Sequence, residues 1–179
     1  NPHPLPAPAI HPLLDGMVVG GHLSADLSAY HLSLRFRGHT LPNADRDAPA
    51  THPGMVRVRI LCDLIPQWPI DITLTGTTIT PARRDRAAVG VITVEDVLEA
   101  IHTTLHKQIT HDEWHRLSPA QEIDVSRAYT RRYKAYSPVE YELRRAGVKR
   151  IDFLGKRVFF RGLTWLSPEA GVERMRLIV

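Results

Sequence analysis

Two pairs of histidines, each with a spacing of four residues, are the first feature of this sequence that could do chemistry. His102 and His106 form one pair, and His111 and His115 form the other. In a helix, His102 and His106 would share one flank with Glu99. Imidazole and carboxylate groups are proper zinc ligands, so this flank is a candidate metal site and would support a metal-dependent enzyme. The competing interpretation is a solvated flank of Glu–His pairs.

The sequence around these histidines favours the solvated flank. A metalloprotease helix needs a glutamate directly after the first histidine, and Asp112 follows His111. We therefore expect no bound metal and no cofactor.

The single cysteine is a second candidate, as a nucleophile beside Asp63. Cys62 continues the alternating pattern of Val56, Val58 and Ile60, which places it on the same predicted buried face. A buried thiol is a small apolar group with a raised pKa. The sequence also lacks a Gly-x-Ser-x-Gly motif, a P-loop and a Gly-x-Gly-x-x-Gly motif. No catalytic residue is predicted, and whether the protein is an enzyme stays open, with the balance against it.

Basic residues are concentrated in one part of the chain. Residues 127–161 contain eleven Lys and Arg and three Asp and Glu, a net charge of +8, whereas residues 94–126 have a net charge of −5. This basic segment is a candidate surface for a polyanion or nucleic acid. Its candidate residues are Arg127, Arg131, Lys134, Lys149, Arg150 and Lys156.

Helical spacing separates the bases of this segment from its aromatic residues. In a helix over residues 119–136, Arg127, Arg131 and Lys134 share the outer face, whereas the tyrosines turn toward the core or a groove. Bases and rings then do not form a single stacking platform of the kind that binds single-stranded nucleic acid. A solvated, salt-bridged face is the competing interpretation.

The elements that must position these residues follow from hydrophobic periodicity. An alternation with a period of two predicts five strands, near residues 56–62, 69–75, 148–154, 157–163 and 173–179. Gly155-Lys156 suits a tight turn between the third and fourth strands. We expect the last strand at an edge or closing the sheet.

Apolar residues at helical spacing follow three capping boxes and predict helices near residues 94–108, 111–117 and 119–136. Ser137-Pro138 begins a fourth, shorter helix that ends near Gly147. Strands, then helices, then strands indicate an α+β fold with a mostly antiparallel sheet. The expected core contains Val58, Ile60, Cys62, Ile72, Leu98, Ile101, Leu105, Tyr129, Phe153 and Phe160.

Length and composition place these elements in one domain. The chain has 179 residues, of which 43% are apolar and 23% charged, as is usual for a globular domain. Five prolines predict an extended tail over residues 1–12, which leaves residues 13–179 as a single α+β domain and residues 76–90 as an exposed loop. No apolar run approaches the roughly 18 residues of a membrane span, so we expect no membrane partner. A single cysteine predicts a reducing, intracellular compartment, cytoplasmic or nuclear.

Several segments together resemble an uncharacterised family, one of the domain-of-unknown-function families abundant in mushroom-forming fungi. The resemblance covers nearly all of the chain from Ile10 onward and implies a compact α+β domain, with no activity and no catalytic residues to transfer. The segments that carry it are His11-Pro12-Leu13-Leu14, VRVRILCDLIPQWPIDI (56–72), VITVEDVLEAIHTTLHKQIT (91–110), VSRAYTRRYKA (125–135) and GVKRIDFLGKRVFFRGLTW (147–165).

Three functions stay open on the sequence alone. The leading hypothesis is a non-enzymatic protein-interaction module with an unidentified protein partner, because no catalytic constellation survives the analysis of spacing. The alternative is a polyanion or nucleic-acid binder that uses the basic segment. A metal-dependent enzyme that uses the histidine flank is the third. The oligomeric state is not predicted.

Overall fold

The computed structural model of the protein describes residues 8–21, 23–74 and 90–179. Short 3₁₀ segments at Ser137–Val139 and Arg150–Leu154 flank the last helix. The strands and helices follow in chain order as β1 (Ala9–Ile10), β2 (Arg35–Phe36), β3 (His39–Thr40), α1 (Asn43–Arg46), β4 (Thr51–His52), β5 (Arg57–Leu61), β6 (Ile70–Thr73), α2 (Val94–Leu105), α3 (His111–His115), α4 (Pro119–Lys134), α5 (Glu140–Arg145), β7 (Gly162–Glu169) and β8 (Val172–Ile178).

Four strands form the main sheet, in the order β6-β5-β8-β7. The pairs β5–β6 and β7–β8 are antiparallel, whereas β5 and β8 run parallel, with Ile60 opposite Met175. Two minor sheets pair β1 with β4 and β2 with β3. The predicted α+β domain with a mostly antiparallel sheet is confirmed. The last strand lies inside the sheet, between β5 and β7.

Alternation along β5 explains why this strand forms and which face it buries. Val58 and Ile60 point into the core, whereas Arg57 and Arg59 point outward. Val56 was predicted on the buried face, but it lies before the strand begins and is 53% exposed. Directly across the strand pair, Nε of Arg59 donates to Oδ1 of Asp71 at 2.6 Å. The two strands predicted near residues 56–62 and 69–75 are therefore confirmed.

Capping boxes begin the three main helices as the sequence predicts. The side chains of Thr93, Thr110 and Ser118 each accept a hydrogen bond from the backbone N–H three residues later. The side chain at that later position accepts one from the backbone N–H of the capping residue. α2 buries Val94, Val97, Leu98, Ala100, Ile101 and Leu105 against the sheet and its surrounding loops. The observed helices end two or three residues before the predicted limits. A short fourth helix, α5, follows the 3₁₀ turn at Ser137–Val139.

The hairpin predicted from strands 148–154 and 157–163 is wrong. Residues 150–154 form a 3₁₀ segment that buries Ile151 and Leu154, a spacing of three rather than two. Asp152 stabilises this segment because its carboxylate accepts from the backbone N–H of Lys149 at 2.8 Å. The strand begins later, at Gly162.

The observed hairpin joins β7 to β8 through Ala170-Gly171. Both residues have positive φ angles, +50° and +73°. Turns of this handedness match the twist of the two flanking strands, and glycine adopts them without steric cost. The sequence signal for this turn was therefore Gly171 rather than Gly155.

One core connects the sheet, α2 and the loop over residues 23–34. Eight of the ten predicted core residues are buried, and Tyr129 and Phe153 are half-buried. Residues 1–7 of the predicted tail, and all but residue 90 of the predicted loop over residues 76–90, lie outside the described residues. Within the described part, Ile10 of β1 is buried. The division of the chain at residue 12 stays a prediction.

Candidate binding surface

The outer face of α4 carries three bases that follow one another along the helix. Val125, Ala128 and Arg132 are the residues that this helix buries. Arg127, Arg131 and Lys134 are exposed, and their spacing of four and three residues makes them neighbours on the opposite face. We call these three side chains the basic ridge.

Two cavities adjoin the basic ridge and share Arg131 in their walls. The outer cavity, of about 560 Å³, is a shallow depression open to solvent, and it is lined by Arg127, Arg131 and Glu122 together with Trp114 and Ile123. The inner cavity has a volume of about 300 Å³. Its walls come from three parts of the chain, which contribute Asp26 and Ser28, Arg131 and Arg132, and Lys156, Val158 and Phe159.

A hydrogen bond holds Arg131 between the two cavities. Its Nη2 donates to the carbonyl oxygen of Gly155 at 3.0 Å. The residue after this glycine, Lys156, is exposed and lines the inner cavity with Arg131. The mouth of the inner cavity therefore has a basic residue from α4 and one from the segment after the 3₁₀ turn.

Arg132 and Asp152 lie in the wall of the inner cavity as a buried ion pair. Nε and Nη2 of Arg132 each donate to one carboxylate oxygen at 2.8 Å, and Nη2 also donates to the carbonyl of Gly147 at 3.1 Å. The side chains are 3% and 2% exposed. Nη1 of Arg132 is buried and has no hydrogen-bond partner in the described part of the chain.

Lys149 and Arg150 do not extend the basic ridge. Both are half-buried. Burial lowers the pKa of Lys149, and the neighbouring Arg132 guanidinium lowers it further. The Arg150 guanidinium lies over the Trp68 ring, 5.1 Å from its centroid. Of the six predicted bases, Arg127, Arg131, Lys134 and Lys156 are exposed. Arg127 lines the outer cavity, Lys156 the inner cavity and Arg131 both.

The tyrosines of α4 pack away from the basic ridge. The rings of Tyr129 and Tyr133 meet edge to face with centroids 4.9 Å apart, and the Tyr129 hydroxyl donates to the carbonyl of Arg144 at 2.5 Å. The hydroxyl holds the Tyr129 ring against α5, and the Tyr133 ring lies edge to face with it, so neither ring is part of the basic ridge. The separation of tyrosines and bases predicted from helical spacing is present.

The histidine flank of α2 faces the loop that contains Leu27 and Ala29. Nε2 of His102 lies 2.8 Å from the carbonyl of Ala29, and Nε2 of His106 lies 2.9 Å from that of Leu27. Because a carbonyl only accepts, both Nε2 atoms carry the proton. The two rings stack with centroids 4.0 Å apart. Burial lowers the pKa of both, and His102 helps to lower that of His106 to about 4.

The observed hydrogen bonds of this flank compete with zinc ligation. Glu99 lies on the same helix, but the Nε2 atoms of His102 and His106 already donate to carbonyls. Within residues 8–21, 23–74 and 90–179, no three His, Cys, Asp or Glu side chains form a group able to hold a metal ion. The second pair bonds locally, since Nδ1 of His115 lies 2.7 Å from the carbonyl of His111.

Cys62 is 3% exposed, as its place in the alternating pattern predicts. Burial raises the pKa of its thiol, and the nearby Asp63 adds to the rise. A neutral, covered thiol is a poor nucleophile. The side chain is part of the hydrophobic core.

Sequence reasoning missed Arg132 and the inner cavity. From the sequence, Arg132 is one of the eleven bases of residues 127–161 and has no role of its own. It lies seven residues after Val125 and four after Ala128, both of which are apolar. That spacing places it on the inward face of α4 and was a usable signal. The contribution of Asp26 and Phe159 had no local signal, because an isolated bridge between distant loops brings them together.

Comparisons with known proteins identify the family and nothing finer. No helix in the described part of the chain has the length and apolar character needed to cross a membrane. No curated protein and no solved structure matches the chain. A family model described as a family of unknown function (DUF6699) matches residues 23–173, and the chain therefore belongs to the DUF6699 family.

Proposed function

We propose that this domain is a non-enzymatic binding module whose basic ridge holds an acidic segment of a partner protein. The observation that carries the proposal is the position of Arg131, which lines both cavities and is fixed by Gly155. A guanidinium held in advance loses less entropy when it binds a carboxylate. An acidic segment that crosses the ridge would contact both cavities.

The ion pair of Arg127, the first residue of the basic ridge, is weak. Arg127 has an ion pair with Asp124 at 3.9 Å, and both side chains are about three-quarters exposed. Exposed pairs of this kind contribute only about 0.2–1 kcal/mol. A carboxylate of the partner can therefore replace Asp124 at little cost.

The outer cavity adds an apolar anchor to this electrostatic surface. Ile123 is 52% exposed and Trp114 is half-buried, and both line the cavity beside Arg127. Tryptophan and arginine are the residues that most often dominate binding energy at protein interfaces. This supports a partner segment that combines acidic residues with one apolar side chain.

The arrangement favours a protein segment over a nucleic acid. Tyr129 and Tyr133 pack away from the basic ridge, so the rings and the bases do not form a single stacking platform. Lys149 and Arg150 are half-buried and do not lengthen the ridge into a stripe.

We include two further statements in this proposal. The resemblance of the sequence segments supports an origin in a mushroom-forming fungus. The single cysteine supports an intracellular location.

Fluorescence anisotropy tests the proposal with two labelled probes at about 150 mM salt, where the Debye length is about 8 Å. One probe is a short Glu/Asp peptide with a single central leucine, and the other is oligothymidylate. We expect the peptide to bind and Arg127→Glu/Arg131→Glu to weaken it at least about tenfold, which corresponds to the loss of about 1.4 kcal/mol. The matched control is Arg57→Glu/Lys107→Glu, which reverses two exposed bases away from α4.

Equal binding by the ridge variant and the control variant would reject the ridge as the contact surface. Tighter binding of oligothymidylate than of the peptide would reject an acidic protein partner and return the proposal to nucleic acid. Replacing the central leucine of the peptide by serine should weaken its binding to the wild-type protein, because the outer cavity would lose its apolar contact.

A further inference from the structure

We infer that the inner cavity is a binding site for a single carboxylate joined to an apolar group the size of one side chain. This goes beyond the proposed partner, because it follows from the walls of the cavity and not from the basic ridge. The carboxylate has two sources of the same chemistry, the C-terminal residue of a protein chain and a free small acid.

The basic side chains of the walls supply the recognition of an anion. Nε and Nη2 of Arg132 are used by Asp152 and Gly147, and its Nη1, which has no partner among the described residues, is covered by protein and not open to the cavity. Arg131 and Lys156 are exposed and line the same cavity, so their N–H groups are the ones that a ligand oxygen can reach. A charge-assisted hydrogen bond from either group favours an anion as the occupant.

The charges around the cavity select a monoanion. The cavity is lined by three cations, Arg131, Arg132 and Lys156, and by two carboxylates, Asp26 and Asp152. Both oxygens of Asp152 bind Arg132. The net charge of +1 matches one carboxylate and would leave a phosphate dianion only half neutralised.

The acidic side chain at the rim already has partners of its own. Oδ1 of Asp26 accepts from the backbone N–H of Ser28 at 2.9 Å and from its hydroxyl at 2.6 Å. These hydrogen bonds direct the Asp26 carboxylate toward its own loop. Asp26 therefore repels a second negative charge on the ligand and leaves the position of the single carboxylate free.

The remaining walls are mostly apolar, with Tyr136 as an aromatic residue that also carries a hydroxyl. Ile151, Val158 and Phe159 line the cavity, and Ala128 and Ala135 leave room beside α4. A volume of about 300 Å³ lies at the lower end of the range for small-ligand sites, about 300–1,000 Å³. The cavity therefore suits one aromatic or branched side chain next to the carboxylate.

Isothermal titration calorimetry tests the site with phenylacetate and with its uncharged analogue phenylacetamide. We expect the acid to bind at least about tenfold more tightly, because hydrogen bonds to a charged group are stronger than those to a neutral amide. A second arm compares a neutral peptide that ends in phenylalanine with the same peptide as a C-terminal amide. Binding of the peptide acid identifies a chain terminus as the source, and binding of phenylacetate without the peptide identifies a small acid.

Variants place the ligand in the cavity without disturbing the buried ion pair. Ala135→Trp fills the cavity from an exposed position at the end of α4 and should abolish binding of phenylacetate, and Lys156→Ala should weaken it. Arg57→Ala removes an exposed base that lines neither cavity and is the matched control for Lys156→Ala, with phenylacetate binding unchanged. Because Arg127→Glu disrupts the basic ridge and Ala135→Trp the inner cavity, failure of the proposed function and failure of this inference give different results. Equal binding of acid and amide, unchanged binding by Ala135→Trp, or no binding of any acid would overturn the inference.

Discussion

Arg132 and Asp152 form a two-pronged ion pair that joins α4 to the 3₁₀ segment Arg150–Leu154, with both N–O distances 2.8 Å. Their side chains are almost completely buried, so neither charge is screened by solvent. The same carboxylate accepts from the backbone N–H of Lys149. One buried pair thus holds the helix of the basic ridge and shapes the wall of the inner cavity.

Replacing Arg132 by methionine should lower the free energy of unfolding by about 3–5 kcal/mol, because Asp152 would stay buried without its counter-charge. The double variant Arg132→Met/Asp152→Leu should lose less than the sum of the two single variants, since no charge is then left unpaired. Urea denaturation measures all three. Arg127→Met, on the exposed face of the same helix, is the control and should change stability by no more than about 0.5 kcal/mol. A single variant as stable as this control would contradict the role of the pair.

His106 should make the protein less stable below neutral pH. Its pKa is lowered to about 4 in the folded protein, mainly by burial and next by His102, from an ordinary value of 6.5. Between those two values the unfolded chain binds the proton and the folded chain does not, so stability falls as the pH falls from about 6.5 toward 4. Allowing for partial solvent exposure, we expect the loss to be about 1–2 kcal/mol.

Urea denaturation at several pH values between neutral and about 4.5 measures this loss. His106→Gln keeps a donor for the carbonyl of Leu27 and removes the titration, so it should flatten the dependence on pH. His115→Gln, at an exposed position, should leave that dependence as it is in the wild type. The same slope in all three proteins would show that other groups cause it.

The turn between β7 and β8 should tolerate asparagine better than its present alanine. Ala170 has a φ angle of +50°, a conformation that costs most L-residues about 1–2 kcal/mol and asparagine less. Ala170→Asn should therefore raise the free energy of unfolding by about 0.5–1 kcal/mol. Ala170→Val should lower it, because a β-branched side chain is worst at positive φ. Thermal melts of both variants test the sign, and a more stable valine variant would contradict the observed turn.

Cys62 should react slowly with Ellman's reagent in the folded protein. It is buried, and burial raises the pKa of its thiol, so both access and thiolate are reduced. We expect labelling to be at least about a hundredfold slower in buffer than in concentrated urea, since it requires local opening. Rapid labelling in buffer would show that β5 does not bury its alternate residues as described.

Local signals predicted the helices and three of the four strands of the main sheet. The capping boxes at Thr93, Thr110 and Ser118 depend on residues within one turn, and the alternation at Val58 and Ile60 depends on one strand. Such patterns act at short range and are visible in the sequence. They were correct for these helices and strands.

The segment around Ile151 shows where local signals fail. Its apolar residues alternate well enough to suggest a strand, but the ion pair between Asp152 and Arg132, twenty residues apart, favours a 3₁₀ turn. The inner cavity has the same origin, because loops distant in sequence bring Asp26 and Phe159 to α4. Contacts of this kind depend on the tertiary fold and leave no periodicity to recognise.

The parallel pair β5–β8 has a consequence for the order in which the protein is assembled. β8 leaves the ribosome after all the other elements of the structure, yet it lies between β5 and β7. Until it arrives, β5 has only β6 as a neighbour, and its other edge is exposed to pairing with foreign chains. Closure of the sheet over so long a loop is intrinsically slow. A nascent chain arrested before Val172 would present that edge to the chaperones that bind unpaired strands.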